Sequence, residues 1–291
     1  MFSGSLVALV TPMKDDGALD FACLERLVDW HIEQGTDGLV IAGTTGEAST
    51  LTKAEHVEVI RVAARRAAGR VPVIAGTGSN STAQTIDLSR AVGELPVDGY
   101  LVVTPYYNKP TQEGLYRHFV AIAEAVELPV ILYNVPGRTG VDMQTATVAR
   151  LAAHRGIIGI KEATGDLDRL RPLREACGDD FLLFSGDDAT GCEFMLQGGQ
   201  GVISVTSNVA PALMAEMCQA AMSGDRQRAT EIDGRLAGLH QELFVESNPI
   251  PVKWAVERLG LIPGGLRLPL TALSSACRPR VEAAMKRAGV L

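Results

Sequence analysis

Apolar residues along this chain gather in short runs, and the runs recur at intervals. They span Leu6–Thr11, Gly38–Ala42, Val71–Ala75, Tyr100–Thr104, Val130–Asn134, Ile157–Lys161, Phe181–Ser185 and Gly201–Val205. Each is rich in Val, Ile or Leu and gives way to a polar or glycine-rich turn. Strands that are continuously apolar suit a parallel sheet covered on both faces, because neither face looks onto water. The segments between them carry helical spacing, as in Phe21, Leu24, Leu27, Val28 and Ile32, or Val57, Ile60 and Ala64. Eight strand–helix units in series predict an α/β chain closed into a (β/α)8 TIM barrel; an open doubly wound sheet is the other arrangement with this pattern.

After Asn208 the strand signal stops. Helices are expected over Pro211–Ser223, Asp225–Phe244, Pro249–Leu259 and Leu270–Ala288. The first completes the last barrel unit, and the others form a C-terminal helical extension. The expected division is a catalytic barrel over residues 1–224 and a helical domain over 225–291, with the boundary resting on Ser223-Gly224-Asp225.

Composition narrows the function. A hydrophobic content of 46% supports a large core. A net charge of -7 disfavours a nucleic-acid surface, which needs clustered Lys and Arg. The densest basic stretch, Arg61–Arg70, is interleaved with Ala63, Ala64, Ala67 and Ala68 and reads as a solvated helix face. The five cysteines are scattered, with no C-x-x-C pair, so neither a disulfide framework nor a zinc site is expected. The N-terminus lacks the basic and apolar regions of a signal peptide, and no apolar stretch approaches the ~20 residues that span a bilayer. A cytoplasmic protein with no nucleic-acid or membrane partner is expected.

Lysine is scarce, at positions 14, 53, 109, 161, 253 and 286. All but Lys161 have polar, turn-like or amphipathic helical surroundings. Lys161 instead ends a buried apolar run. A lysine at the C-terminal end of a barrel strand lies where such enzymes place their chemistry, and loss of water there favours its neutral, nucleophilic amine. A plain strand-end lysine paired with Glu162 is the structural alternative. If odd positions face the interior on both strands, Tyr133 neighbours Lys161 and its hydroxyl can carry protons; a core tyrosine is the alternative. Gly43-Thr44-Thr45-Gly46-Glu47 can form a small anion nest and is not a Walker loop. Gly76-Thr77-Gly78-Ser79 lacks the third glycine of a dinucleotide fingerprint. Neither G-x-S-x-G nor H-E-x-x-H occurs, and the five histidines are dispersed. Asp187-Asp188 suits either a magnesium ion or the cap of the following helix. No metal and no organic cofactor is expected.

These loops sit within longer motifs: Thr104-Pro105-Tyr106-Tyr107-Asn108-Lys109-Pro110, Tyr133-Asn134-Val135-Pro136-Gly137-Arg138-Thr139, Gly159-Ile160-Lys161-Glu162-Ala163, Ser185-Gly186-Asp187-Asp188 and Asn248-Pro249-Ile250-Pro251-Val252-Lys253. In order and spacing, over essentially the whole chain, they resemble the dihydrodipicolinate synthase family of the pyruvate-dependent (Schiff-base) aldolases. Single motifs are shared with relatives such as N-acetylneuraminate lyase; the combination is more specific. The resemblance implies a lyase of lysine and diaminopimelate biosynthesis. Such an enzyme condenses pyruvate with L-aspartate 4-semialdehyde to 4-hydroxy-tetrahydrodipicolinate, without a cofactor, as a homotetramer built as a dimer of dimers. It further implies an imine on Lys161, with Tyr133 as proton carrier. Thr44 and Tyr107 would complete a hydroxyl relay, Tyr107 being lent across a subunit interface. Thr45 would hold the pyruvate carboxylate near the Ile203 carbonyl, and Arg138 the carboxylate of the second substrate.

The sequence departs from the lysine-inhibited pattern of that family. Ser49, His56, Asn80 and Tyr106 match its effector site, but Gln84 stands where a Glu is usual and Lys53 where some relatives have His. Gly137 stands where Ser is common. Two other functions remain compatible with these residues: another 2-keto-acid (sugar-acid) aldolase of the superfamily, or a catalytically inactive barrel that binds a small acid.

Overall fold

A computed structural model describes residues 2–291. Eight parallel strands, β1 (Gly4–Ala8), β2 (Gly38–Ile41), β3 (Val73–Gly76), β4 (Gly99–Val103), β5 (Val130–Asn134), β6 (Ile157–Glu162), β7 (Leu182–Ser185) and β8 (Gly201–Ser204), close into one barrel in sequence order. The helices are α1 (Phe21–Glu33), α2 (Lys53–Ala67), α3 (Thr82–Gly93), α4 (Gln112–Ala125), the short α5 (Pro136–Thr139), α6 (Thr145–Ala152), α7 (Leu170–Cys177), α8 (Asp188–Leu196), α9 (Pro211–Met222), α10 (Arg226–Glu242), α11 (Ile250–Arg258) and α12 (Arg278–Ala288). The open sheet is therefore excluded. No helix among the described residues is long and apolar enough to cross a membrane.

Two apolar layers follow from strand alternation. Leu6, Val40, Ile74, Leu101, Ile131 and Phe184 fill the barrel, while Val7, Leu39, Val130, Leu132 and Ile160 face the helices. Helix α1 buries Leu24, Leu27 and Val28 against that outer layer, with Phe21 and Ile32 at the edge of its stripe. Local polar residues set the helix starts. Asp20, Ser81, Thr111 and Asp225 accept from the first turns of α1, α3, α4 and α10, and Thr52 and Glu55 form a capping box on α2. The basic stretch on α2 is held by acidic partners: Arg66 and Arg70 both pair with Asp29 of α1, and Arg61 with Glu58.

The structure corrects two boundaries. β1 ends at Ala8 rather than Thr11; Leu9 and Val10 stay buried, but the Val10 amide bonds to the Asn208 side chain instead of a strand. Apolar pattern alone cannot tell such a buried loop from a strand. The last helix begins at Arg278, not Leu270. Pro279 has no N–H and its ring clashes with the preceding turn, so it is tolerated only where α12 starts.

Pairing of β5 with β6 is irregular. Val130 lies opposite Ile157, whereas Ile131 lies opposite Gly159, so Ile158 is an extra residue on β6. Ile157 packs into the outer layer and Ile158 against the inner one. Above this bulge the register is regular and brings Tyr133 opposite Lys161. In the C-terminal extension, α10 packs on α8, α9 and α12, with Leu236 and Leu239 fully buried.

Candidate active site

Lys161 lies one residue from the C-terminal end of β6, 5% exposed, with its Nζ 4.4 Å from the centroid of the Tyr133 ring. Burial carries its pKa from 10.5 down to about 8; Asp188 opposes this fall and Arg138 adds to it. Glu162 is no partner for it. Successive strand residues face opposite sides, and Glu162 accepts hydrogen bonds from Asn134 Nδ2 (3.2 Å) and Thr164 N (3.0 Å) and pairs with Arg169 (3.2 Å) on the outer side. The Lys161 chain lies across Gly186, where an added Cβ would come within 2.7 Å of Lys161 Cε. Asp187 caps α8, and Asp188 accepts from the Val205 and Thr206 amides, so the following structure accounts for both acids.

Tyr133 is buried, and burial raises its pKa; the positive Arg138 and the nearby Thr44 hydroxyl oppose the rise. Thr44 is exposed at the barrel mouth and Thr45 is buried beneath it. The loop that carries them is bounded by two non-glycine residues in the left-handed region, Ala42 (φ 53°) and Glu47 (φ 57°). Each costs about 1 kcal/mol or more and persists only where its surroundings hold it. Asn248 Nδ2 donates to Thr45 Oγ1 at 3.0 Å, so the Thr45 hydroxyl proton is free for another acceptor. Arg138 Nη2 reaches the Asn248 carbonyl at 3.4 Å. Lys161, Tyr133, Thr44, Thr45, Arg138 and Asn248 line one cavity of about 190 Å³.

The remaining candidates divide. Ile203 is in the interior layer, 1% exposed, and does not line this cavity. Tyr107 is 87% exposed, with φ 72°, on the loop after β4. Ser49, His56, Gln84 and Tyr106 line a second, larger cleft of about 610 Å³ that also touches Thr44, Tyr133 and Arg138. Asn80 does not line it; its carbonyl accepts from Asn108. In the cleft, Gln84 Oε1 accepts from Ser79 Oγ at 3.1 Å and Lys53 is paired with Asp87. His56 Nε2 bonds to the Gly76 carbonyl at 2.7 Å, and burial lowers its pKa, so it is neutral near pH 7.

Three residues escaped the sequence reading. Lys253, one of the lysines expected in polar, turn-like or amphipathic helical surroundings, is only 1% exposed and pairs with the equally buried Glu47 at 2.5 Å. Burial lowers its pKa and Glu47 opposes this. The sequence neighbours of Lys253 carry no signal of its burial, because Glu257, one turn further along the same face of α11, is exposed and makes that face read as amphipathic. Asn248, the third, showed only as part of a motif.

The model of the dihydrodipicolinate synthetase family matches residues 1–288. The 4-hydroxy-tetrahydrodipicolinate synthase of Methylococcus capsulatus is 62% identical over all of both chains. That of an Azoarcus species is 58% identical over 100% of this chain and 99% of its own. Among solved structures, the chloride-inhibited dihydrodipicolinate synthase of Acinetobacter baumannii, in complex with pyruvate, superposes with a TM-score of 0.99 at 55% identity over all of both chains. With a family match over nearly its whole length and relatives of this identity, the chain belongs to the dihydrodipicolinate synthetase family.

Proposed function

We propose that this enzyme condenses pyruvate with L-aspartate 4-semialdehyde to 4-hydroxy-tetrahydrodipicolinate, through an imine on Lys161. The observation that carries the reading is a desolvated lysine, pKa about 8, opposite a buried tyrosine at the catalytic end of the barrel. Neutral Lys161 Nζ attacks the keto carbon of pyruvate; loss of water gives the protonated imine. The iminium nitrogen takes up the electron pair left when a methyl proton departs, giving an enamine. That carbon adds to the aldehyde of the second substrate. The substrate's amine then attacks the imine carbon, closes the ring and expels Lys161.

Tyr133, with Thr44 beside it, moves the protons of these steps. Thr45 donates a hydrogen bond from its free hydroxyl to the pyruvate carboxylate, close to the Ile203 carbonyl. Arg138, a planar fork that is always charged, takes the carboxylate of aspartate semialdehyde. Tyr107, exposed and in a left-handed conformation, completes the relay in a second copy of the chain. The working form is a cytoplasmic homotetramer, and residues 1–224 and 225–291 are its catalytic barrel and helical extension. Ser49, His56, Gln84 and Tyr106, which line the larger cleft, and Asn80, outside that lining, make up a candidate effector site.

Borohydride added with pyruvate tests the chemistry. It should fix one pyruvate-derived adduct on the Lys161 peptide, and an adduct on Lys253, or none, overturns the reading. Product formation from pyruvate with aspartate semialdehyde, against sugar-derived aldehydes, then tests the second substrate.

A further inference from the structure

The Glu47–Lys253 pair lies outside the cavity, and no step above uses it. Lys253 Nζ donates to Glu47 Oε1 and to the Gly265 carbonyl, both at 2.5 Å, while the Arg267 amide donates to Glu47 Oε2 at 3.3 Å. Burying two charges is expensive, and an apolar pair of similar volume is often as stable or more so. Apolar contact, however, has no direction. Glu47 occupies a left-handed conformation that a side chain must be held in, and its amide bonds to the carbonyl of Thr44 (3.1 Å). Only Gly46 separates Glu47 from Thr45. From Lys253, the first turn of α11 and then Pro249 lead back to Asn248, whose side chain bonds to Thr45 and whose carbonyl meets Arg138. The pair therefore closes a ring: Thr45 to Glu47 by the chain, Glu47 to Lys253 by the ion pair, Lys253 to Asn248 by the first turn of α11 and Pro249, and Asn248 back to Thr45.

We infer that Glu47 and Lys253 are positioning residues, which fix the Thr44–Thr45 loop against the C-terminal extension and so set the seat of the pyruvate carboxylate. The inference rests on the pyruvate chemistry above and deepens it. The C-terminal extension is thereby part of the catalytic apparatus, although its charged residue never touches substrate.

The test uses full-length Glu47→Gln, Lys253→Met and the double variant, each measured for Tm, pyruvate KM, kcat and borohydride trapping. Each single variant leaves a polar or charged group stranded, so a lower Tm is expected from either. The double variant removes both charges and should regain most of the lost Tm, yet keep a pyruvate KM raised about tenfold or more with slowed trapping. A merely structural pair would give the double variant wild-type KM, kcat and trapping once its Tm recovers, and that result overturns the inference. So does a single variant whose Tm falls while its pyruvate KM is unchanged. If a single variant fails to fold, the double variant decides alone. Absence of trapping in the wild type counts against the pyruvate reading itself; normal wild-type trapping with a normal double variant counts only against the positioning role.

Discussion

Tyr133 and Lys161 stand opposite each other in the β5–β6 ladder, both buried, with the amine 4.4 Å from the ring centroid. An ammonium at that distance is attracted by the ring face, yet burial outweighs the attraction and leaves the lysine pKa near 8. At pH 7 roughly one amine in ten is then neutral, several hundred-fold more than at the ordinary value. The initial rate of imine formation, followed by quenched borohydride trapping, should rise with pH and level off above about 8. A profile still climbing as a free lysine would, to beyond pH 10, removes the case for desolvation.

The same burial has a stability consequence. Between pH 8 and 10.5 the unfolded chain holds a proton on Lys161 that the folded chain has released, so stability rises with pH through that window. Below pH 8 the cost is fully present, about 3 kcal/mol. Lys161→Met should therefore raise Tm at pH 7, at fixed protein concentration, and the gain should vanish above pH 10.5. An equal or lower Tm at pH 7 would show that the amine is better solvated than its surroundings imply.

Tyr133→Phe keeps the ring that packs beside Lys161 and deletes the hydroxyl. Turnover should fall by about 10²-fold or more. Steady-state rates on both substrates measure it, and an undiminished kcat would make the tyrosine a packing residue.

Arg138 is exposed at the mouth, and its one side-chain hydrogen bond, at 3.4 Å, is long. Arg138→Leu should weaken use of aspartate semialdehyde by roughly 30-fold, the low end for a truncated charge pair, about 2 kcal/mol. Pyruvate should still be trapped on Lys161. Equal weakening for both substrates would recast Arg138 as a structural residue.

Free lysine should inhibit weakly even at millimolar concentration. Gln84 brings no negative charge, His56 is neutral near pH 7, and Asp87 is engaged by Lys53. Neutral hydrogen bonds contribute roughly 0.5–1.5 kcal/mol each, against 1.5–3 for charged ones. Activity titrated with lysine at fixed substrate checks this. Half-inhibition below a millimolar would show that the uncharged partners suffice, or that Asp87 leaves Lys53 for the ligand, since Glu47 is already bound to Lys253.

The barrel was legible because eight apolar runs alternate with helical spacing over two hundred residues, and Lys161 because it closes one of those runs. Roles for the surrounding residues came from whole motifs, since neither Thr44 nor Arg138 differs in pattern from an ordinary loop residue. Lys253 was misjudged for a physical reason: its partner lies 206 residues away, and periodicity within α11 carries no information about it. Where the β1 run leaves the ladder, and where α12 begins, depended on Asn208 and Pro279 rather than on hydrophobicity.

The extra residue on β6 decides which functional group the barrel mouth receives. Counting upward from Ile157, which faces the helices, strict alternation would turn Ile160 and Glu162 inward and send Lys161 out among the helices. Ile158 shifts that parity by one. The interior then gains an amine and the outer side a carboxylate. A change about 10 Å below the tip of the strand thus selects between an amine and a carboxylate without altering either residue. In this barrel the count of residues in the lower half of one strand is as much a determinant of chemistry as the identity of the residue at its tip.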